Sequence, residues 1–309
     1  NEIVPWSKDN PSGATPEKSF AAKTVALAAG AEQTVTLSEP WPNPKLWWPD
    51  DPRLYTVVTR VKKDGKLVDT HTARFGFREW GWDKPHFTLN GARWHFWAGV
   101  RYGDSPAKFL EICRQTGQNL FRFWNHEGWG GMTKRQILDF MDENGIAVRD
   151  SMPLDGQVAN YSSGLTETPE GAPKDGRTYR KALFDAANRQ GQAHARSWRN
   201  HPSILLWSLE NEVTYINAQN LGQGPYVEPA LRLMAEEVRK VDPTRPSMVD
   251  GGNALRPPEE WKNIDDAIRA LGPMPVNGGH YLETGVGGMA LRDYPDAAYS
   301  NELWVKNRQ

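Results

Sequence analysis

Up to about Arg78 the apolar and polar positions alternate with a period of two. Residues 23–27, 33–37, 54–61 and 66–75 are rich in Val, Thr and aromatic side chains, separated by turn signals such as Ala29-Gly30 and Lys63-Asp64-Gly65. The pattern predicts a small β-sandwich over residues 1–80. Its polar, Pro-bearing start, residues 1–22, is expected to enter as irregular strand or loop.

Over residues 81–309 the period changes, and short apolar runs alternate with helical ones. Residues 94–100 are the candidate first strand, followed by Ser105 and Pro106 as N-cap and first position of a helix running to Gly117. Residues 119–124 form the second strand. Thr133 with Gln136 makes a capping-box pattern for a helix whose Ile137, Leu138, Phe140 and Met141 share a face and which Gly145 closes. Residues 146–148 then lead to Asp150. A helical stretch over 178–199 precedes the apolar run 204–209, and another over 229–241 precedes 247–249. Strand, helix, strand with short links predicts a parallel sheet. With a weaker strand at His280-Tyr281, about six strand–helix units are expected, against the eight of a (β/α)8 barrel. The C-terminal barrel strands are therefore expected to lie beyond Gln309.

The most informative stretch is Asn200 to Val213, NHPSILLWSLENEV, an apolar run delivered directly into Asn and Glu. A buried strand ending in ionisable groups is how a (β/α)8 barrel presents chemistry at its C-terminal face. Asn211 and Glu212 are thus the candidate centre.

Composition narrows the partners. A net charge of −1 gives no reason to expect nucleic acid or an anionic membrane. Fourteen Trp in 309 residues is a high share, and Trp faces stack on sugar rings as well as filling cores. The single Cys113 excludes an intrachain disulfide and reads as a buried, inert thiol. No stretch approaches the roughly 20 apolar residues of a membrane span. Asn1 opens with neither a Met nor a signal-peptide pattern, so the chain is expected to be a fragment.

Four motifs resemble glycoside hydrolase family 2, the β-galactosidases, β-glucuronidases and β-mannosidases. Leu46-Trp47-Trp48-Pro49-Asp50-Asp51-Pro52-Arg53-Leu54-Tyr55 is similar to LWxPxxPxLY of the family's immunoglobulin-like domain, and Phe75-Gly76-Phe77-Arg78-Glu79 to the element that ends it. Phe87-Thr88-Leu89-Asn90-Gly91 resembles the hairpin that opens the barrel, and residues 200–212 resemble NHPSIxxWSLGNE. The resemblance implies an Ig-like β-sandwich followed by a TIM barrel, and retaining exo-hydrolysis of β-glycosides by two glutamates. No metal or organic cofactor is implied. Glu212 falls on the family's acid/base, and a carboxyl group at a strand's end in a partly desolvated cleft suits proton donation.

Around it, Asn211 is a candidate for the sugar 2-OH. Arg122 matches the Arg of the family's second strand. Trp124 and His126 follow that strand, Asp150 ends the third, and His280 and Tyr281 resemble an aromatic and His pair after the sixth. Each of these is a substrate contact or a structural hydrogen bond.

Departures are equally visible. Glu210 replaces the Gly more usual before the Asn, and Arg101-Tyr102-Gly103-Asp104 replaces the pattern usual after the first strand, which leaves the sugar unassigned. The nucleophile is expected beyond Gln309, since no apolar strand leading into a Glu follows Tyr281 and Glu302 reads as helix or fragment end. His126-Glu127 lacks a second His, because position 130 is Gly130, so the helical HExxH pattern of a metalloprotease is not met. Two other readings stay open: a non-catalytic carbohydrate-binding module or pseudoenzyme, and an endo-acting retaining glycosidase of the same clan. Residues 157–177 read as a loop at the active-site face. Asn160-Tyr161-Ser162 is a sequon; the compartment is not fixed, with an extracellular or periplasmic one favoured over the cytoplasm.

Overall fold

The computed structural model describes residues 1–11, 15–83, 86–98, 105–123, 131–155, 163–173, 176–213 and 223–249. They divide into two units: residues 1–78 with 134–146 and 200–203, and residues 79–133, 147–199 and 204 onward.

The first unit is built on an antiparallel sheet of β1 (Glu2–Pro5), β2 (Lys18–Ser19), β3 (Tyr55–Lys63) and β4 (Lys66–Phe75), in the order β2-β1-β3-β4. Asp64 and Gly65, both at positive φ, make the tight turn that joins β3 to β4. Ile3, Val4, Leu54, Tyr55 and Val58 are buried, and Trp41, Phe75 and Phe77 gather around the Tyr55 ring at 5.3–5.8 Å. Residues 23–27 and 33–37 make no ladder, contrary to the alternation. Val25, Leu27 and Val35 stand exposed, and a period of two yields a strand only where a partner edge and a covering layer take it up.

The residues 134–146 in this unit hold α2 (Lys134–Asn144), and their docking explains the membership. Asp142 is buried; its Oδ1 accepts from the Ser203 N–H at 3.1 Å and the Ser203 hydroxyl at 2.6 Å. Its Oδ2 lies 2.6 Å from His201 Nδ1 and 3.3 Å from an Arg74 nitrogen. Arg74 also pairs with Asp139 and Glu143, and lies over the Trp6 ring. The Asp142 carbonyl accepts from the indole of fully buried Trp47 at 2.8 Å. The family-like Leu46–Tyr55 motif and the Asn200–Ser203 motif thus converge on one helix.

The second unit opens with a meander of β5 (Trp80–Asp83), β6 (His86–Leu89) and β7 (Ala92–Trp94), turned at Asn90-Gly91. Of the first barrel strand expected at 94–100, the described residues show a single parallel bridge, Ala98 to Leu120. Then follow α1 (Pro106–Thr116), β8 (Leu120–Phe123), β9 (Ala147–Asp155), the short pair β10 (Thr166–Glu167) and β11 (Thr178–Tyr179), α3 (Lys181–Trp198), β12 (Ile204–Asn211), α4 (Gly224–Val241) and β13 (Ser247–Met248). Ser105 caps α1 by accepting the Lys108 N–H, and Gly117 ends it at positive φ.

Strands β8, β9, β12 and β13 form a wholly parallel sheet in the order β13-β12-β9-β8. Sequential parallel strands with helices between them are consecutive units of a (β/α)8 barrel. All eight residues of β12 are buried, as a strand covered on both faces must be. Against it α4 lays the stripe Val227, Ala230, Leu231, Met234 and Val238. Fully buried Trp207 donates to Asp242 at 3.0 Å under the Arg245 guanidinium, pinning β12 beside the end of α4. No helix among the described residues is long and apolar enough to cross a membrane.

Candidate active site at the end of β12

Alternation along the strands decides which side chains meet. On β8, Phe121 and Phe123 are buried, Phe121 packing edge-on against Phe109 of α1, so Arg122 projects from the opposite face. Register places Arg122 beside Arg149 of β9, and Arg149 beside Leu206 of β12. Between Ser208 and Glu210 the β9–β12 ladder shifts register, which re-aims the last residues of β12. There Arg122 Nη2 donates to Asn211 Oδ1 at 2.5 Å.

This bond fixes the Asn211 amide chemically. A guanidinium has only donors, so the atom facing it is the carbonyl oxygen and the NH2 group points away. Asn211 is 1% exposed, and no described residue accepts from its Nδ2. A buried amide donor without an acceptor costs about 1–3 kcal/mol, a deficit that a ligand acceptor removes.

Glu212 follows at φ +57°, 7% exposed. For a non-glycine residue this left-handed conformation costs roughly 1–3 kcal/mol and persists where the surroundings over-determine it. Fully buried Glu210 closes the turn: its Oε2 accepts the Val213 N–H at 2.6 Å. Ser208 donates its hydroxyl to the Glu210 carbonyl at 3.2 Å.

Asp150, grouped with Glu212 in the sequence reading, occupies the other side of β9. It is fully buried, with Oδ2 2.9 Å from His194 Nε2 of α3, and the His194 ring stands edge-on to Trp207. Met152, on the same face of β9, also meets α3, lying 3.1 Å from where a Cβ on Gly191 would be. The period-two rule puts Arg149 and Ser151, not Asp150, on the Arg122 face. Ser151 is fully buried, and its hydroxyl has no described partner. Sequence reading passed over it, although its position one residue beyond Asp150 was the available signal. Trp124, His126, His280 and Tyr281 lie outside the described residues, as do Glu127 and Glu302.

Metal-type ligands come together once among the described residues, at Asp139, Asp142 and His201 in the first unit. There the Asp142 oxygens are already taken by Ser203, His201 and Arg74. The cluster is a structural clamp.

A parallel βα sheet that ends a buried strand in Asn211 and leads into Glu212 places both residues where (β/α)8 barrels carry their chemistry. Residues 6–78 match the model for glycosyl hydrolases family 2, and residues 132–269 match that family's TIM barrel domain. The chain belongs to glycosyl hydrolases family 2, as an Ig-like β-sandwich followed by a TIM barrel. Among curated relatives, it is 32% identical over 185 residues to a Formosa agariphila protein described as "Putative beta-glucuronidase", covering 55% of this chain and 16% of that one. It is 25% identical over 239 residues to beta-galactosidase BgaC of Bifidobacterium adolescentis, covering 72% and 20%. A Bacteroides uniformis β-glucuronidase shares the fold at a TM-score of 0.62 with 19% identity, over 96% of this chain and 33% of that one. The chain therefore spans a fifth or less of the length of these curated relatives.

Proposed function

We propose that the chain carries the acid/base half of a retaining, exo-acting β-glycoside hydrolase, with Glu212 as the acid/base. The observation that carries the reading is the Arg122–Asn211 bond, which turns the Asn211 N–H groups away from Arg122 and leaves them without a described acceptor, next to Glu212 at the end of a buried parallel strand. In such a reaction Glu212 protonates the leaving glycosidic oxygen while a second carboxylate, about 5 Å from it, attacks the anomeric carbon. The departing alcohol takes that proton. Glu212, now a base, then removes a proton from the water that hydrolyses the glycosyl-enzyme ester.

Asn211 donates to the sugar 2-OH, a contact that strengthens in the oxocarbenium-like transition state. Arg122 keeps Asn211 in that orientation. The nucleophile lies outside the described residues. The substrate class is a β-linked hexoside, with glucuronides and galactosides favoured by the names of the relatives.

The test is Glu212→Gln in the full-length polypeptide, assayed on aryl β-glucuronides and β-galactosides of graded leaving-group acidity. Turnover of poor leaving groups falls far more than that of activated ones, which need little protonation. Proton NMR of the first-formed sugar shows the β-anomer. Equal loss across the series, or an α-anomer formed first, refutes the assignment.

A further inference from the structure

We infer that Glu210 is a positioning residue for Glu212, its buried carboxyl group holding the turn that presents the acid/base. The inference rests on the reading of Glu212 proposed above. Glu210 Oε2 accepts the Val213 N–H at 2.6 Å, so this one side chain closes a loop around Asn211 and Glu212. Glu212, inside that loop, holds φ +57°. A residue with a Cβ leaves this region readily unless its neighbours prevent it.

The β9–β12 ladder shifts register between Ser208 and Glu210, resumes with Glu210 opposite Leu154 and Asn211 opposite Asp155, and ends before Glu212. The side chain supplies the closure that a regular ladder provides elsewhere. Glu210 is fully buried and the bond runs to backbone, so it does not compete with Glu212 for substrate. A carbonyl oxygen of the same reach performs the same task, whereas an apolar isostere does not.

The experiment compares wild type, Glu210→Gln, Glu210→Met and Glu212→Gln in the full-length polypeptide, on the same graded aryl β-glycosides. Misplacing an acid by about 1 Å costs about a hundredfold. Glu210→Met is expected to lose about that factor in kcat on poor leaving groups, much less on activated ones, with KM little changed. Glu210→Gln stays close to wild type. Glu212→Gln, the reference, gives the full leaving-group dependence.

A purely structural Glu210 scales kcat equally for every leaving group. That outcome, with a steep Glu212→Gln series, overturns the role of Glu210 alone; a flat Glu212→Gln series overturns the Glu212 reading itself. If Glu210→Met does not fold, Glu210→Asp takes its place, one methylene too short for the bond. Equal behaviour of the Asp and Gln variants then refutes the proposal.

Discussion

Arg122 and Asn211, 89 positions apart, meet across the parallel sheet with Nη2 on Oδ1 at 2.5 Å. The contact fixes which end of the Asn211 amide faces Arg122, and so leaves its donors for something else. Loss of the guanidinium lets the amide rotate. Arg122→Ala is expected to lower kcat/KM about ten- to hundredfold, the worth of a hydrogen bond to a charged group at about 1.5–3 kcal/mol. Because Arg122 acts through Asn211, the Arg122→Ala/Asn211→Ala pair should cost little more than Asn211→Ala alone. Additive losses would separate the two residues.

Asp150 faces α3, and a change there should read out in stability. Asp150→Ala removes the buried carboxylate that lies against His194, an expected loss of about 1–3 kcal/mol in urea unfolding. The leaving-group dependence of whatever activity remains should be that of wild type. A steep dependence would return Asp150 to the substrate side.

Two glycines at similar positive φ separate strain from crowding. A Cβ on Gly145 would lie 1.9 Å from the Pro49 carbonyl oxygen, whereas one on Gly117 meets nothing within 4 Å. Gly117→Ala is expected to cost about 1 kcal/mol, the conformational term alone, and Gly145→Ala about 2–4 kcal/mol. Chemical denaturation of the two variants side by side checks the ranking.

Burial pushes the Cys113 thiol from its ordinary 9.0 up to about 11. The folded protein should resist iodoacetamide near neutrality and react once unfolded in urea. The sign of the linkage follows. The folded pKa is raised, so this stabilising contribution is fully present below pH 9 and is lost as pH rises through about 11. Cys113→Ala should flatten that part of the alkaline stability profile.

The parts legible in sequence were those set by local chemistry. Ser105-Pro106 and Gly117 bound α1, β4 runs over the alternating residues 66–75, and the apolar run of β12 ends in Asn211. What failed depended on partners distant in the chain. Residues 23–27 alternate properly but lack a ladder. Thr178 and Tyr179, read as the start of a helix over 178–199, pair with Glu167 and Thr166 before α3 begins at Lys181. The direction of Asp150 turned on strand parity, which a residue list does not carry. The Glu210 bond to Val213 was invisible for a different reason. A Glu before Asn-Glu shows only a second carboxyl group, and its job depends on the backbone angle of its neighbour.

The docking of α2 through Asp142 has a bearing on synthesis. Trp47 and Arg74 leave the ribosome long before Asp142, and Ser203 and His201 emerge later still. The first unit cannot mature in order of translation, since two of its own pieces are encoded within the barrel. A nascent chain released at residue 80 would bear an indole and a guanidinium with their acceptors untranslated, a polypeptide prone to capture by chaperones. About half of the second unit, residues 79–133 and 147–199, must be translated before the last piece of the first, residues 200–203, is made.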